Sequence, residues 1–168
     1  MGHLHYVRQG EALGLGHAVG CGRRHVGDEP FAVLLGDDLI GAQESLLSDM
    51  IDVQQRLGGS VVALMEVPEE SVSAYGVAAV EPVEGEDASV VRVTGLVEKP
   101  AREDAPSRLA VIGRYVLAPQ VFDVLDRTAP GRGGEIQLTD ALQTLAAGEG
   151  EGYGVHAVVF DGRRYDTG

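Results

Sequence analysis

Short apolar runs alternate with amphipathic stretches along this chain. Residues 31–36 (Phe-Ala-Val-Leu-Leu-Gly) form a continuous apolar run ending at Asp37-Asp38. Such a run predicts a strand buried on both faces, as in a parallel sheet under helices. Residues 43–57 predict an amphipathic helix, with Leu46, Met50, Val53 and Leu57 on one stripe and Leu47 and Ile51 beside it. Gly58-Gly59 stops that helix, and Ser60–Val67 forms a second strand closed by Pro68. Phe31 to Val67 thus predicts one strand–helix–strand unit. Val77–Val83, the acidic turn Glu84–Asp87 and residues 90–97 predict an antiparallel excursion. Leu109–Leu117 is a further strand, and Pro119 suits the first position of a helix reaching about Arg127. After the loop at 130–134, Glu135 to about Ala147 predicts a helix with Ile136, Leu142 and Leu145 inward, and Tyr153–Phe160 a last strand. The pattern is an α/β layered fold with a mixed, mostly parallel sheet.

Composition narrows the picture. The 168 residues and an apolar content of 44% fit one domain, 1–168, with a packed core. A net charge of −13 argues against nucleic acid as a partner, since phosphate backbones need a basic surface. No apolar stretch approaches a membrane span and the start lacks a signal-peptide pattern, so the expected setting is cytoplasmic, with no membrane partner. Cys21 is the single cysteine, which excludes an internal disulfide and a cysteine-based zinc cluster. Of the 13 Lys plus Arg residues only Lys99 is lysine, and it follows Glu98, so no Walker A loop exists.

Four constellations could carry chemistry. Glycines 10, 14 and 16 in Gln9-Gly10-Glu11-Ala12-Leu13-Gly14-Leu15-Gly16-His17-Ala18 allow backbone to come close to a ligand, or make a tight turn before a helix at about 17–22. This is not the dinucleotide fingerprint, because Val19 stands where Gly or Ala is required. In Leu34-Leu35-Gly36-Asp37-Asp38, a carboxylate at the end of a strand sits where α/β sheets place ligands and Mg²⁺; one of the two aspartates serves to cap the following turn. In Leu96-Val97-Glu98-Lys99-Pro100, the proline predicts an extended Lys99, with Glu98 and Lys99 pointing to opposite sides. In Arg163-Arg164-Tyr165-Asp166-Thr167-Gly168, Asp166 follows a strand as Asp37 does, and is either a second carboxylate on one metal or part of a turn.

Taken in order, Gly14-Leu15-Gly16-His17-Ala18, Leu35-Gly36-Asp37-Asp38, Tyr75-Gly76-Val77, Val97-Glu98-Lys99-Pro100, Gly134-Glu135-Ile136-Gln137-Leu138-Thr139-Asp140 and Tyr165-Asp166-Thr167-Gly168 resemble the bacterial UTP–glucose-1-phosphate uridylyltransferases, members of the sugar nucleotidyltransferases. The resemblance implies a Rossmann-like three-layer nucleotidyltransferase fold, truncated at both ends. It implies that Gln9 and the backbone of Gly14, with Gly16, recognise uracil. Asp37 would hold Mg²⁺ with Asp166 as second carboxylate. Gly76 would let the sugar approach, Glu98 would bind glucose hydroxyls, Lys99 would contact the sugar phosphate and Val111 would line the sugar pocket. Asp37 and Lys99 are then the catalytic pair.

The implied partners are UTP, glucose 1-phosphate, UDP-glucose and pyrophosphate, and the implied state at full length is a homo-oligomer. The family's Gly-x-Gly-Thr-Arg loop is missing, as is its C-terminal helical part, so the chain alone is expected to be inactive or nearly so. Arg108 stands where many relatives have Asn. Two rivals remain: a thymidylyltransferase of the same family, and a non-catalytic module that binds nucleotide sugars.

Overall fold

The structure, a computed structural model, describes residues 2–41 and 44–167. A segment without helix or strand leads to α1 (Leu15–Cys21) and α2 (Arg23–Val26). Then come β1 (Phe31–Leu34), β2 (Asp38–Ile40), α3 (Leu46–Leu57), β3 (Ser60–Glu66), β4 (Gly76–Pro82), β5 (Val90–Glu98) and β6 (Leu109–Leu117). The chain continues through α4 (Gln120–Leu125), α5 (Leu138–Ala147), β7 (Val155–Val159) and β8 (Arg164–Asp166). Residue 43, where the sequence pattern starts the third helix, lies outside the described residues.

Six strands form one sheet in the order β1-β6-β3-β7-β5-β4, and β2 pairs with β8 in a separate two-stranded ribbon. Alternating side chains of the large sheet feed two main cores, and Val77 and Ala110 join a smaller third cluster with Val67 and Val72. Val61, Ala63, Ile112, Val116 and Val158 meet Leu46, Met50 and Val53 of α3. Val62, Leu64, Tyr115, Leu117 and Ala157 meet Val19, Val121, Phe122, Leu138, Leu142 and Leu145 from α1, α4 and α5. The result is helix, sheet, helix in three layers. The apolar stripe expected on α3 is the face that packs.

The sheet is not mostly parallel. Among the described residues only β3 and β7 pair in parallel, and every other neighbouring pair is antiparallel. The reason is β6, which inserts between β1 and β3 and runs opposite to both. The strand–helix–strand unit from Phe31 to Val67 therefore exists, but its two strands do not touch. Any sheet with helices on both faces buries continuous apolar runs, so the runs of 60–66 and 109–117 do not report direction. β1 departs further: its side chains alternate between half-buried and exposed, as on a strand at the end of the sheet order, and Leu34 is 52% exposed. Helix α5 starts at Leu138 rather than Glu135, because Gln137 is extended, while Ile136 packs against the same core as Leu142 and Leu145.

Candidate active site

The carboxylates come together through main-chain bonds. After β1 the chain turns, with the Leu35 N–H donating to the Gly113 carbonyl at 3.0 Å. The ribbon of β2 and β8 sets Asp38 opposite Asp166. The Asp37 carbonyl accepts both the Thr167 N–H and the Thr167 hydroxyl at 2.9 Å, across 130 residues of sequence. Asp37 and Asp166 both keep exposed side chains.

Asp38 takes a structural job other than the turn cap expected of one member of the pair: it anchors the ribbon to β6. Its side chain is buried, accepts the Gly113 N–H at 2.7 Å and is gripped by Arg164 at 2.6 and 3.0 Å. Burial opposes its ionisation. The guanidinium and the Gly113 N–H outweigh that and hold the carboxyl below the usual carboxylate range. Gly113 is required there, since a Cβ would lie 2.8 Å from that of Asp38.

The second group forms at the junction of β4 and β5, where Gly76 pairs with Glu98. The Glu98 carboxylate is mostly buried and accepts the Thr139 hydroxyl at 2.6 Å. A Cβ on Gly76 would press on both groups, at 3.0 Å from Thr139 Oγ1 and 3.2 Å from Glu98 Oε2.

Lys99 is not extended. Its φ of 45° makes it the one non-glycine residue with positive φ among those described. Its N–H donates to the Tyr75 carbonyl at 2.9 Å, a bond that outweighs the preference imposed by Pro100. The turned backbone brings Nζ to 3.8 Å from Glu98 Oε1, so the two side chains are neighbours rather than opposed. Half of the Lys99 side chain stays exposed.

Tyr75 joins the two groups. Its carbonyl holds Lys99, and its hydroxyl lies 3.4 Å from Asp166 Oδ2 and 3.3 Å from Arg164. Burial pushes the pKa of the Tyr115 hydroxyl on β6 up, and the negative charge of Glu98, Asp38 and Asp37 pushes it the same way.

The glycine-rich segment packs against the stretch before α5. The Gly16 N–H donates to the Ile136 carbonyl at 2.9 Å and the Ile136 N–H to the Leu13 carbonyl at 2.8 Å. A Cβ at Gly14 or Gly16 would lie 2.8 Å from the Ile136 oxygen. Contact within the chain thus accounts for both glycines. Gln9 Nε2 donates to the Gly14 carbonyl at 3.2 Å and lies 2.9 Å from His17 Nδ1. Val111 is half-buried beside Leu64. Arg108 pairs with Glu66 on the surface. A hollow of about 790 Å³ between α4 and α5, lined by Arg127, Asp140, Gln143 and Tyr153 among others, includes none of Asp37, Glu98, Lys99 or Asp166.

The donors suit a hard divalent cation. Asp37 and Asp166 offer carboxylate oxygens, and Mg²⁺ takes one or two of these while water and phosphate fill its remaining positions. No cluster of three or more His, Cys, Asp or Glu with metal-holding geometry occurs among the described residues. Three residues with no role assigned from the sequence belong to this face: Tyr75, Thr139 and Arg164. All three lie inside quoted motifs, but only contacts distant in sequence reveal what they hold.

A three-layer fold with strand-end carboxylates and a lysine beside a buried glutamate defines a class that the family model for nucleotidyl transferases matches over residues 2–168, and the chain belongs to that family. Among its relatives is a UTP–glucose-1-phosphate uridylyltransferase of Bacillus subtilis (strain 168), 46% identical over 165 residues, which are 98% of this chain and 54% of that protein. One from Pseudomonas aeruginosa is 48% identical over 97% of this chain and 57% of its own length. The crystal structure of a UDP-glucose pyrophosphorylase complexed with UDP-glucose superposes with a TM-score of 0.89 at 46% identity, covering 97% of this chain and 60% of that one. The chain thus spans little more than half the length of the relatives it matches.

Proposed function

We propose that this chain carries the sugar-binding and cation-binding face of an enzyme that transfers a uridylyl group from UTP to glucose 1-phosphate, giving UDP-glucose and pyrophosphate. The observation that carries this reading is Tyr75, whose main chain holds Lys99 while its side chain meets Asp166. Residues for the sugar phosphate and for the cation thereby share one support.

The chemistry asks little of proton transfer. A phosphate oxygen of glucose 1-phosphate forms a bond to the α-phosphorus of UTP as the bond from that phosphorus to the bridging oxygen breaks, and pyrophosphate departs with the electron pair. The attacking oxygen is already anionic, so positioning and charge neutralisation supply the acceleration. Asp37 and Asp166 would hold Mg²⁺, which would supply neutralisation of the phosphates. Lys99 adds a compact ammonium for the sugar phosphate. Glu98, oriented by Thr139, accepts hydrogen bonds from glucose hydroxyls. Gln9 already spends its N–H on Gly14, which leaves its amide oxygen to accept the N3–H of uracil.

Calorimetry of the purified chain with UDP-glucose and Mg²⁺ tests the reading. Saturable binding is expected, weakened at least tenfold in Lys99→Met. No binding of UDP-glucose, or binding unweakened in Lys99→Met, overturns it.

A further inference from the structure

Arg164 makes more contacts than a structural ion pair requires. Nε and Nη2 grip the two oxygens of Asp38 at 2.6 and 3.0 Å. That fork already satisfies the buried carboxylate. The same Nη2 reaches Asp166 Oδ2 at 3.0 Å, and Nη1 donates to the Tyr75 hydroxyl at 3.3 Å. The guanidinium carbon also lies 5.3 Å from the centre of the Tyr75 ring. Only 12% of the side chain is exposed.

One planar cation therefore ties the buried anchor of β2 to the exposed carboxylate of β8 and to the tyrosine that holds Lys99. Arg164 and Tyr75 converge on the same oxygen of Asp166 and so fix the plane of that carboxylate. A lysine could not do this, because an ammonium cannot present a rigid fork and stack on a ring at once.

We propose that Arg164 is a positioning residue that orients Asp166 for a divalent cation and, through Tyr75, keeps Lys99 in register with it. The proposal rests on Asp166 being a cation ligand, as in the function proposed above. Groups that orient ligands from behind typically change metal affinity by about 10–100-fold when removed.

Mn²⁺ serves as the probe, its binding to the intact 168-residue chain read by water-proton relaxation, with folding followed by circular dichroism. Removing Arg164 alone strands the buried Asp38 charge and can unfold the chain. The working variant is therefore the pair Asp38→Asn with Arg164→Met, alongside Arg164→Lys and Tyr75→Phe. The folded double variant is expected to bind Mn²⁺ about 10–100-fold more weakly. Arg164→Lys should fall near it despite keeping the charge, and Tyr75→Phe should lose less. Wild-type affinity in the folded double variant, or in Arg164→Lys, overturns the positioning role while leaving the cation site standing. Wild-type binding that survives Asp166→Asn, or no Mn²⁺ binding by the wild type, overturns the site and the positioning role together.

Discussion

Lys99 occupies a backbone conformation that glycine adopts at little cost and other residues avoid. Strain of this kind, about 1–3 kcal/mol, persists where the surroundings over-determine it. Here the bond to Tyr75 fixes the turn, and the turn sets the ammonium beside Glu98. Two substitutions separate backbone from side chain. Lys99→Gly and Lys99→Ala both remove the ammonium and should weaken UDP-glucose binding alike. Lys99→Gly should be the more stable by about 1 kcal/mol, read by urea denaturation, since alanine keeps the strain. Equal stability of the two would show that the turn is unstrained. As the only lysine, Lys99 stood out in the composition. Its conformation did not, because the local rule for a residue before proline predicts extension, and the partner that defeats the rule lies 24 positions earlier, at Tyr75.

Elements long enough to show a period were legible: α3 by its stripe, β3, β5 and β6 by their apolar runs. The ribbon of β2 and β8 was not. Three residues per strand carry no periodicity, and the partners that tie the ribbon together, Asp38 and Arg164 among them, lie 126 residues apart. With it was hidden the job of Arg164. Asp37 and Asp166 themselves were visible as carboxylates after strands, whereas which of Asp37 and Asp38 would be buried depended on Gly113, far along the chain.

β7 adds a pH-dependent element. His156 pairs with Arg92 on one side and Val61 on the other, and its Nδ1 is buried without a hydrogen-bond partner. Burial pushes its pKa down; the nearby Arg92 does the same, while a Gly58 backbone contact and Glu86 oppose it. The folded state then keeps the ring neutral where the unfolded chain takes up a proton. Stability should hold at neutral pH and fall as pH drops below about 6.5, the ordinary histidine value. His156→Val should flatten the decline in thermal midpoint from pH 7 to pH 5. An unchanged slope would assign it to other groups.

At the scale of the molecule, the sheet divides two cores, and β6 serves both. Ile112 and Val116 face α3, whereas Tyr115 and Leu117 face α1, α4 and α5. Loss of packing on either face should reach the other through that strand. Ile112→Ala should cost about 2–5 kcal/mol and shift a single urea transition, with far-UV dichroism and tyrosine fluorescence moving together. Separate transitions for the two probes would mean that the layers unfold independently. Strand direction was the feature of the whole fold least available in advance, since it depends on β6 entering between two strands that precede it in the chain.

The close fit of Gly14 and Gly16 against Ile136 makes two distant stretches a single replaceable cassette. A side chain introduced at either glycine would need room made at residues 135 and 136 in the same step, or the loop would stand off from its support.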